Sequence, residues 1–389
     1  MRLYLIAGEA SGDLHGANLL KALHAQQPNL TCRAWGGDLM QNAGATLVKH
    51  YRELAFMGFV EVAKNLRTIL RNIAFCKRDI LEFQPDALVL IDYPGFNLRI
   101  ARWAKEQGIR VIYYISPQLW AWHASRAHAI RRDVDKLLVI LPFEQEFFRQ
   151  YGIEAEFVGH PLLDEMVIGG VGAENQSPIT NKPITTPPIT NKLITNQIAL
   201  LPGSRKQELS RILPRMLEVT DDFPDYQFVV AGTTSLPEAY YQALMEKHPK
   251  VRLVRGQTYE VLRHSKAALV KSGTSTLETA LLDVPQVVCY AGNWLSYQIA
   301  KRLIKVKYIS LVNLIMDRPM VQELIQDELN KKNLKAALAD ILSPEKSAAM
   351  RLGYAELRER LGGGGASERA ARAILKVKSD KEKVETFNL

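Results

Sequence analysis

Short apolar runs recur along this chain, each ending in a turn marked by glycine, proline or a polar residue. Between them lie stretches with apolar positions at three- and four-residue spacing. Runs at residues 2–7, 31–35, 46–49, 86–91, 111–115 and 137–141 predict strands in the first half. Runs at 198–201, 226–231, 251–254, 267–270 and 287–290 predict strands in the second. Unbroken apolar runs of this length suit a parallel sheet buried on both faces. Helical spacing covers residues 17–26, 60–83, 237–247, 294–304 and 331–376, the last broken at Gly362 to Gly365, and a helix is expected from the 202–208 loop to about residue 220. Strand–helix alternation that stops and restarts predicts an α/β chain of two Rossmann-like, doubly wound domains facing across a cleft.

The interruption is compositional. Residues 178–197 read PITNK, PITTP, PITNK, LITNQ, rich in Pro, Thr and Asn and poor in large apolar side chains. Such pentads cannot build a core and predict a disordered or extended surface insertion without a catalytic role. The expected boundaries are a first domain at 1–167, an insertion at 168–197, a second domain with its C-terminal helices at 198–375 and a charged, frayed tail at 376–389.

Composition narrows the picture in three ways. With 389 residues, 47% hydrophobic and 23% charged, the chain has material for two cores and no apolar run long enough to span a bilayer. The apolar start is shorter than a signal-peptide core, so none is expected. Three scattered cysteines, Cys32, Cys76 and Cys289, match no metal-ligand spacing and fit buried thiols in a reducing compartment. The net charge of +9 favours anionic partners: phosphates, nucleic acid or an acidic membrane surface. The 60–83 helix bears on that choice. Leu66, Ile69, Leu70, Ile73, Cys76 and Ile80 share a face, while Lys64, Arg67, Arg71 and Arg78 fall on another. Phe56, Met57, Phe59 and Val60 precede it. The segment either lies on an anionic membrane or is a core helix with a solvated basic back.

Candidate chemistry sits where strands end. Lys271-Ser272-Gly273-Thr274-Ser275-Thr276-Leu277-Glu278 reads as strand, glycine turn and helix start, with Thr274 or Ser275 as the cap. Such a helix end is an anion site, and Glu278 could accept bonds from a ribose diol. Arg205, in the Pro202-Gly203-Ser204-Arg205 loop, could neutralise a diphosphate. In the first half, residues Gly8 to Gly16 form a glycine loop whose spacing is not that of a dinucleotide fingerprint. Asp92 follows the apolar 86–91 strand, the position of a general base, unless it or Asn97 only caps the next helix. Trp120 and Trp122 after the 111–115 strand read equally as a sugar or acyl platform or as core. His123 and His128 are wrongly spaced for a shared metal on one helix face. Together these features suit group transfer from a nucleotide sugar.

The motifs Gly8-Glu9-Ala10-Ser11-Gly12-Asp13, Asp92-x-Pro94-x-Phe96-Asn97, Ser116-Pro117-x-x-Trp120-Ala121-Trp122, Gly159-His160-Pro161, Leu201-Pro202-Gly203-Ser204-Arg205 and Ser272-Gly273-Thr274-x-x-Leu277-Glu278 occur in this order. In that register the chain resembles the lipid-A-disaccharide synthases, glycosyltransferases of the GT-B architecture, over about residues 1–165 and 198–375. The resemblance implies joining of UDP-2,3-diacylglucosamine to 2,3-diacylglucosamine 1-phosphate, with inversion, to give a β-1,6 disaccharide and UDP. It implies no metal, no cofactor and no nucleic-acid partner. It implies Asp92 as base, with Glu9 and Asp13 as rivals, and Ser204, Arg205, Gly273, Thr274, Glu278 and Asn313 around UDP. Glu9, Ser11, Gly12, Asp13, Asn97, Ser116 and Trp120 would line the acceptor side. Phe56, Met57, Phe59, Val60, Lys64, Arg67 and Arg71 would face an anionic membrane surface, placing the protein in the cytoplasm, peripheral to the inner membrane. A homodimer is left open.

Two departures stand out. The family pattern Ser-Leu-Pro-Asn is here Ser310-Leu311-Val312-Asn313, which relaxes the backbone before Asn313. The pentads are foreign to the family. A UDP-sugar 2-epimerase of similar layout, or a non-catalytic nucleotide-sugar-binding protein, are the alternative readings.

Overall fold

The computed structural model describes residues 1–54, 66–122, 124–164, 196–293 and 307–387. Two compact units emerge, Met1–Gly172 with Leu361–Leu389, and Ala173–Arg360.

The first unit is a seven-stranded parallel sheet: β1 (Arg2–Ala7), β2 (Thr31–Gly36), β3 (Thr46–His50), β4 (Ala87–Ile91), β5 (Arg110–Tyr114), β6 (Lys136–Val139) and β7 (Ala155–Phe157). Their spatial order is β3-β2-β1-β4-β5-β6-β7. Alternation along β1 shows why these residues are apolar throughout. Leu3, Leu5 and Ala7 face one core with Leu19, Leu20 and Leu23. Tyr4 and Ile6 face the other, with Cys76, Ile80 and Phe83. A strand covered on both sides has no polar face to spare.

The second unit holds β8 (Gln197–Leu201), β9 (Gln227–Gly232), β10 (Arg252–Arg255), β11 (Ala267–Lys271), β12 (Gln286–Tyr290) and β13 (Gln322–Ile325). These strands pair in parallel in the order β10-β9-β8-β11-β12-β13. Strand β13 was not legible in the sequence, because Gln322 and Glu323 break its apolar run. Glu323 is held by the backbone N–H groups of Ile309 and Ser310 at 3.0 and 2.9 Å instead. Cys32, Cys76 and Cys289 are buried free thiols.

Three expectations are corrected. The Gly8–Gly16 stretch is mostly helix: α1 runs Ala10–Gln26, with only Gly8 and Glu9 left as loop. Gly16 lies against Met40, and a side chain there would strike its sulfur at 2.6 Å, so close packing rather than a loop explains that glycine. The second domain does not reach residue 375. The last helix, Ala366–Phe387, puts Ala370, Ala373 and Ile374 into the core beside Leu19 and Leu23 of α1. Asp164 caps its start, accepting from Gly365 N at 2.6 Å and Ser367 N at 2.8 Å. Finally, the charged tail continues that helix through Phe387.

The pentads, His123, the 294–304 helix and Phe56, Met57, Phe59, Val60 and Lys64 lie outside the described residues, apart from the last pentad's end. Of the basic helix, Leu66–Phe83 is described. Cys76 and Ile80 are core, whereas Leu70 is 55% exposed beside exposed Arg67 and Arg71. Among the described residues no helix is long and apolar enough to cross a membrane.

Candidate active site

In an open parallel sheet, ligands sit beyond the carboxyl ends of the strands where the order reverses. In the first unit that point lies between β1 and β4, so the loops carrying Gly8-Glu9 and Asp92-Tyr93 flank it. Asp92 and Tyr93 are both left-handed, with φ 45° and 48°. Two such non-glycine residues in succession cost about 1–3 kcal/mol each, so the surroundings must hold them. The Asp92 carbonyl accepts from the Tyr113 hydroxyl at 2.6 Å and from Asn97 Nδ2 at 2.7 Å. Asp92 N donates to Tyr114 O at 3.3 Å. The Tyr93 ring occupies the space beside Gly8, where an added Cβ would lie 2.3 Å from it. It also stacks on Phe96 at 5.7 Å.

The result is a half-buried carboxyl at the reversal point of the sheet. Burial, assisted by the negative charge of Glu9, pushes the Asp92 pKa up to about 6. Such a group is mostly ionised at neutral pH yet more basic than an ordinary aspartate, which suits a general base.

The rival acids differ. Glu9 is exposed, as is Ser11. Asp13 is buried and caps α2 (Asp38–Asn42): its oxygens accept from Gly37 N at 2.7 Å, Met40 N at 3.0 Å and Leu39 N at 3.2 Å. Gly12 is buried next to it in α1. Asn97 is fully buried and serves the Asp92 turn.

A second buried acid was missed in the sequence. Glu144 is 1% exposed and ties together the loops after β5 and β6. It accepts from Ser116 Oγ at 2.6 Å, Trp120 Nε1 at 3.3 Å, Ile140 N at 3.2 Å and Leu141 N at 3.0 Å. Desolvation raises its pKa to about 7, against the pull of those donors. Ser116 and Trp120 are thus brought together through Glu144, and Ile115 beside them is strained at φ 62°. The signal was available as Leu141-Pro142-Phe143-Glu144 at a strand end. His160 of the Gly-His-Pro motif is buried, pushed down to about 3 by burial, and accepts from Leu162 N at 3.2 Å.

The second unit reverses between β8 and β11. Gly203 (φ 106°) and Gly273 (φ 154°) make these turns. Gly273 itself stands at the cap of the helix Thr274–Leu281 in place of the expected Thr274 or Ser275, and Thr276 N donates back to its carbonyl at 3.1 Å. Ser204, Arg205 and Thr274 are exposed. Between the two loops Glu208 accepts from Lys271 Nζ at 3.0 Å and lies 3.9 Å from Arg205. Lys271, at the end of β11, adds a cation not singled out in the sequence. Glu278 is partly buried and accepts from Tyr259 OH at 3.4 Å.

Asn313 is placed differently. Its Nδ2 donates to Val321 O at 2.8 Å and Glu323 Oε1 at 2.9 Å, and its Oδ1 accepts from Met320 N at 2.8 Å and Val321 N at 2.9 Å. With both amide hydrogens and both lone pairs used, it shapes the 310–323 region.

Two parallel, doubly wound sheets, each with polar loops at its reversal point, define the GT-B class of fold. A solved UDP-GlcNAc 2-epimerase from Neisseria meningitidis, bound to UDP-GlcNAc, shares it with a TM-score of 0.65 at 14% identity, covering 97% of this chain and 100% of that one. The family model described as Lipid-A-disaccharide synthetase matches residues 3–377. A lipid-A-disaccharide synthase of Syntrophus aciditrophicus is 41% identical over 94% of this chain and 95% of its own length. One from Geobacter metallireducens is 38% identical over 97% of each. The chain belongs to the lipid-A-disaccharide synthase family, and it is a glycosyltransferase.

Proposed function

We propose that the protein joins UDP-2,3-diacylglucosamine to 2,3-diacylglucosamine 1-phosphate, forming the β-1,6-linked disaccharide 1-phosphate and UDP. Family membership supports the reaction, and the geometry at Asp92 is the single observation that carries its mechanism. The acceptor hydroxyl forms a bond to the anomeric carbon as the bond to the diphosphate oxygen breaks. Its proton passes to the Asp92 carboxylate, whose raised pKa strengthens it as a base. Attack from the face opposite UDP inverts the anomeric centre. The diphosphate leaves without a proton, its charge met by Arg205, Lys271 and the N–H groups after Gly273, with Ser204 and Thr274 alongside. Glu278 takes the ribose. The test is turnover of the two acylated glucosamine substrates with UDP release as readout. UDP-N-acetylglucosamine epimerisation without disaccharide formation would overturn the reading.

A peripheral place on the cytoplasmic side of the inner membrane follows from the acylated substrates. It is supported by Arg67, Arg71 and Leu70 sharing the exposed side of the Leu66–Phe83 helix. Replacing Phe56, Met57, Phe59 and Val60 by serine should release the protein from anionic vesicles, and salt should weaken the wild-type association. Unchanged partition of the variant would remove this segment from the membrane face.

A further inference from the structure

Tyr113 is buried in the middle of the first sheet, on β5, yet its hydroxyl is not idle. It donates to the carbonyl of Asp92 at 2.6 Å, and Asn97 Nδ2 donates to the same oxygen at 2.7 Å. That carbonyl belongs to a residue whose φ is 45°, followed by Tyr93 at 48°. A relaxed, right-handed or extended residue at 92 would turn the carbonyl elsewhere and swing the side chain with it. Neighbouring β4 ends at Ile91, and Asp92 N, just past it, donates to Tyr114 O at 3.3 Å. From the other side, the Tyr93 ring is seated beside Gly8, with no room for a side chain there.

We propose that Tyr113 and Asn97 are positioning residues for the reaction: their paired bonds to the Asp92 carbonyl hold the left-handed turn that aims the Asp92 carboxylate at the acceptor hydroxyl. The inference rests on the reading of Asp92 as the base. A buried tyrosine in a sheet would serve packing equally well as phenylalanine. Here its hydroxyl is spent on a carbonyl in a strained turn, where a merely packed ring needs no such partner. Two donors converging on one carbonyl suit a turn that would otherwise relax.

The experiment is a double-mutant cycle with the acylated substrates. Tyr113→Phe keeps the ring and removes the hydroxyl; it should lower kcat roughly ten-fold, with UDP affinity unchanged, as expected when a positioned base is displaced. On the Asp92→Asn background, where no base remains to be aimed, the same substitution should change the residual kcat less than about two-fold. The acid limb of the wild-type pH profile should also move to lower pH in Tyr113→Phe, because a loosened carboxylate gains water and its pKa falls. An equal loss of kcat on both backgrounds, or an unchanged kcat on the wild-type one, would overturn the proposal. Asn97→Ala, run in parallel, removes the other donor and carries the same cycle if Tyr113→Phe loses its fold. Failure of the base reading itself is separately visible, as full activity in Asp92→Asn alone.

Discussion

The two reversal points share a topology and differ in how they make a sharp turn. In the first unit the strained positions are Asp92, Tyr93 and Ile115, none of them glycine. Side chains buried around them, Tyr113, Asn97 and Glu144, supply the restraint. In the second unit the equivalent turns use Gly203 and Gly273, for which positive φ carries little penalty. Around them stand exposed Ser204, Arg205 and Thr274 and partly exposed Lys271. A glycine turn before a helix can present backbone N–H groups to an anion without backbone strain. A strained non-glycine turn places one particular side chain in one direction and desolvates it. On the proposed reading, the second site holds charge and the first aims a base.

The largest effect is expected where that difference is sharpest. Asp92→Asn keeps the shape and removes the basicity, so turnover should fall roughly 10²–10⁴-fold, with UDP affinity and melting temperature nearly unchanged. A variant within a few-fold of wild type would demote Asp92 to a cap and pass the role to exposed Glu9, because Asp13 is committed to α2. With Asp92 as the proposed base, active when ionised, the wild-type rate should rise as pH climbs through about 6 and level off above it. A profile flat across that range would contradict the assignment.

Glu144 tests the other half of the first site. Its proton is held more tightly in the folded protein than in the unfolded chain. The associated stability is fully present below the ordinary glutamate range and is lost as pH rises to about 7. Urea melts between about pH 5 and pH 8 should show a loss on the order of 3 kcal/mol from this group. Glu144→Gln should flatten that dependence; a slope unchanged in the variant would assign it elsewhere.

In the second unit, Arg205→Ala should weaken UDP by about 1.5–3 kcal/mol, the worth of a hydrogen bond to a charged group. Glu278→Ala should weaken UDP and spare pyrophosphate inhibition, since its partner is the ribose. Equal loss toward both ligands would reduce Glu278 to a brace for Tyr259. The smallest effect on binding is expected at Asn313. Asn313→Ala should lower the melting temperature through its lost bonds to residues 320, 321 and 323, while UDP affinity in the folded protein stays close to wild type. A selective loss of UDP affinity would return Asn313 to the ligand.

Much of this was legible from local pattern. Apolar runs place every strand of the first sheet except the short β7, and all but β13 of the second, because a buried parallel strand must be apolar on both faces. Strand ends then point to Asp92, Arg205 and Gly273. Glu144 escaped notice because its partners, Ser116 and Trp120, come from another strand's loop. The last helix packs in the first unit although it follows the second in sequence, because its apolar face is readable and its partner is not; Asp164 lies some two hundred residues before it in sequence.

The sequence by itself determined the fold class and the family, since periodicity and turn chemistry are properties of neighbouring residues. Only the tertiary structure decided which acids are available. Asp13, Asp92 and Glu144 differ little as letters. One is saturated by α2, one is held in a strained turn and half desolvated, and one is sealed beneath four donors. Burial and hydrogen-bond partners come from distant segments, and they set the free energy of each charge.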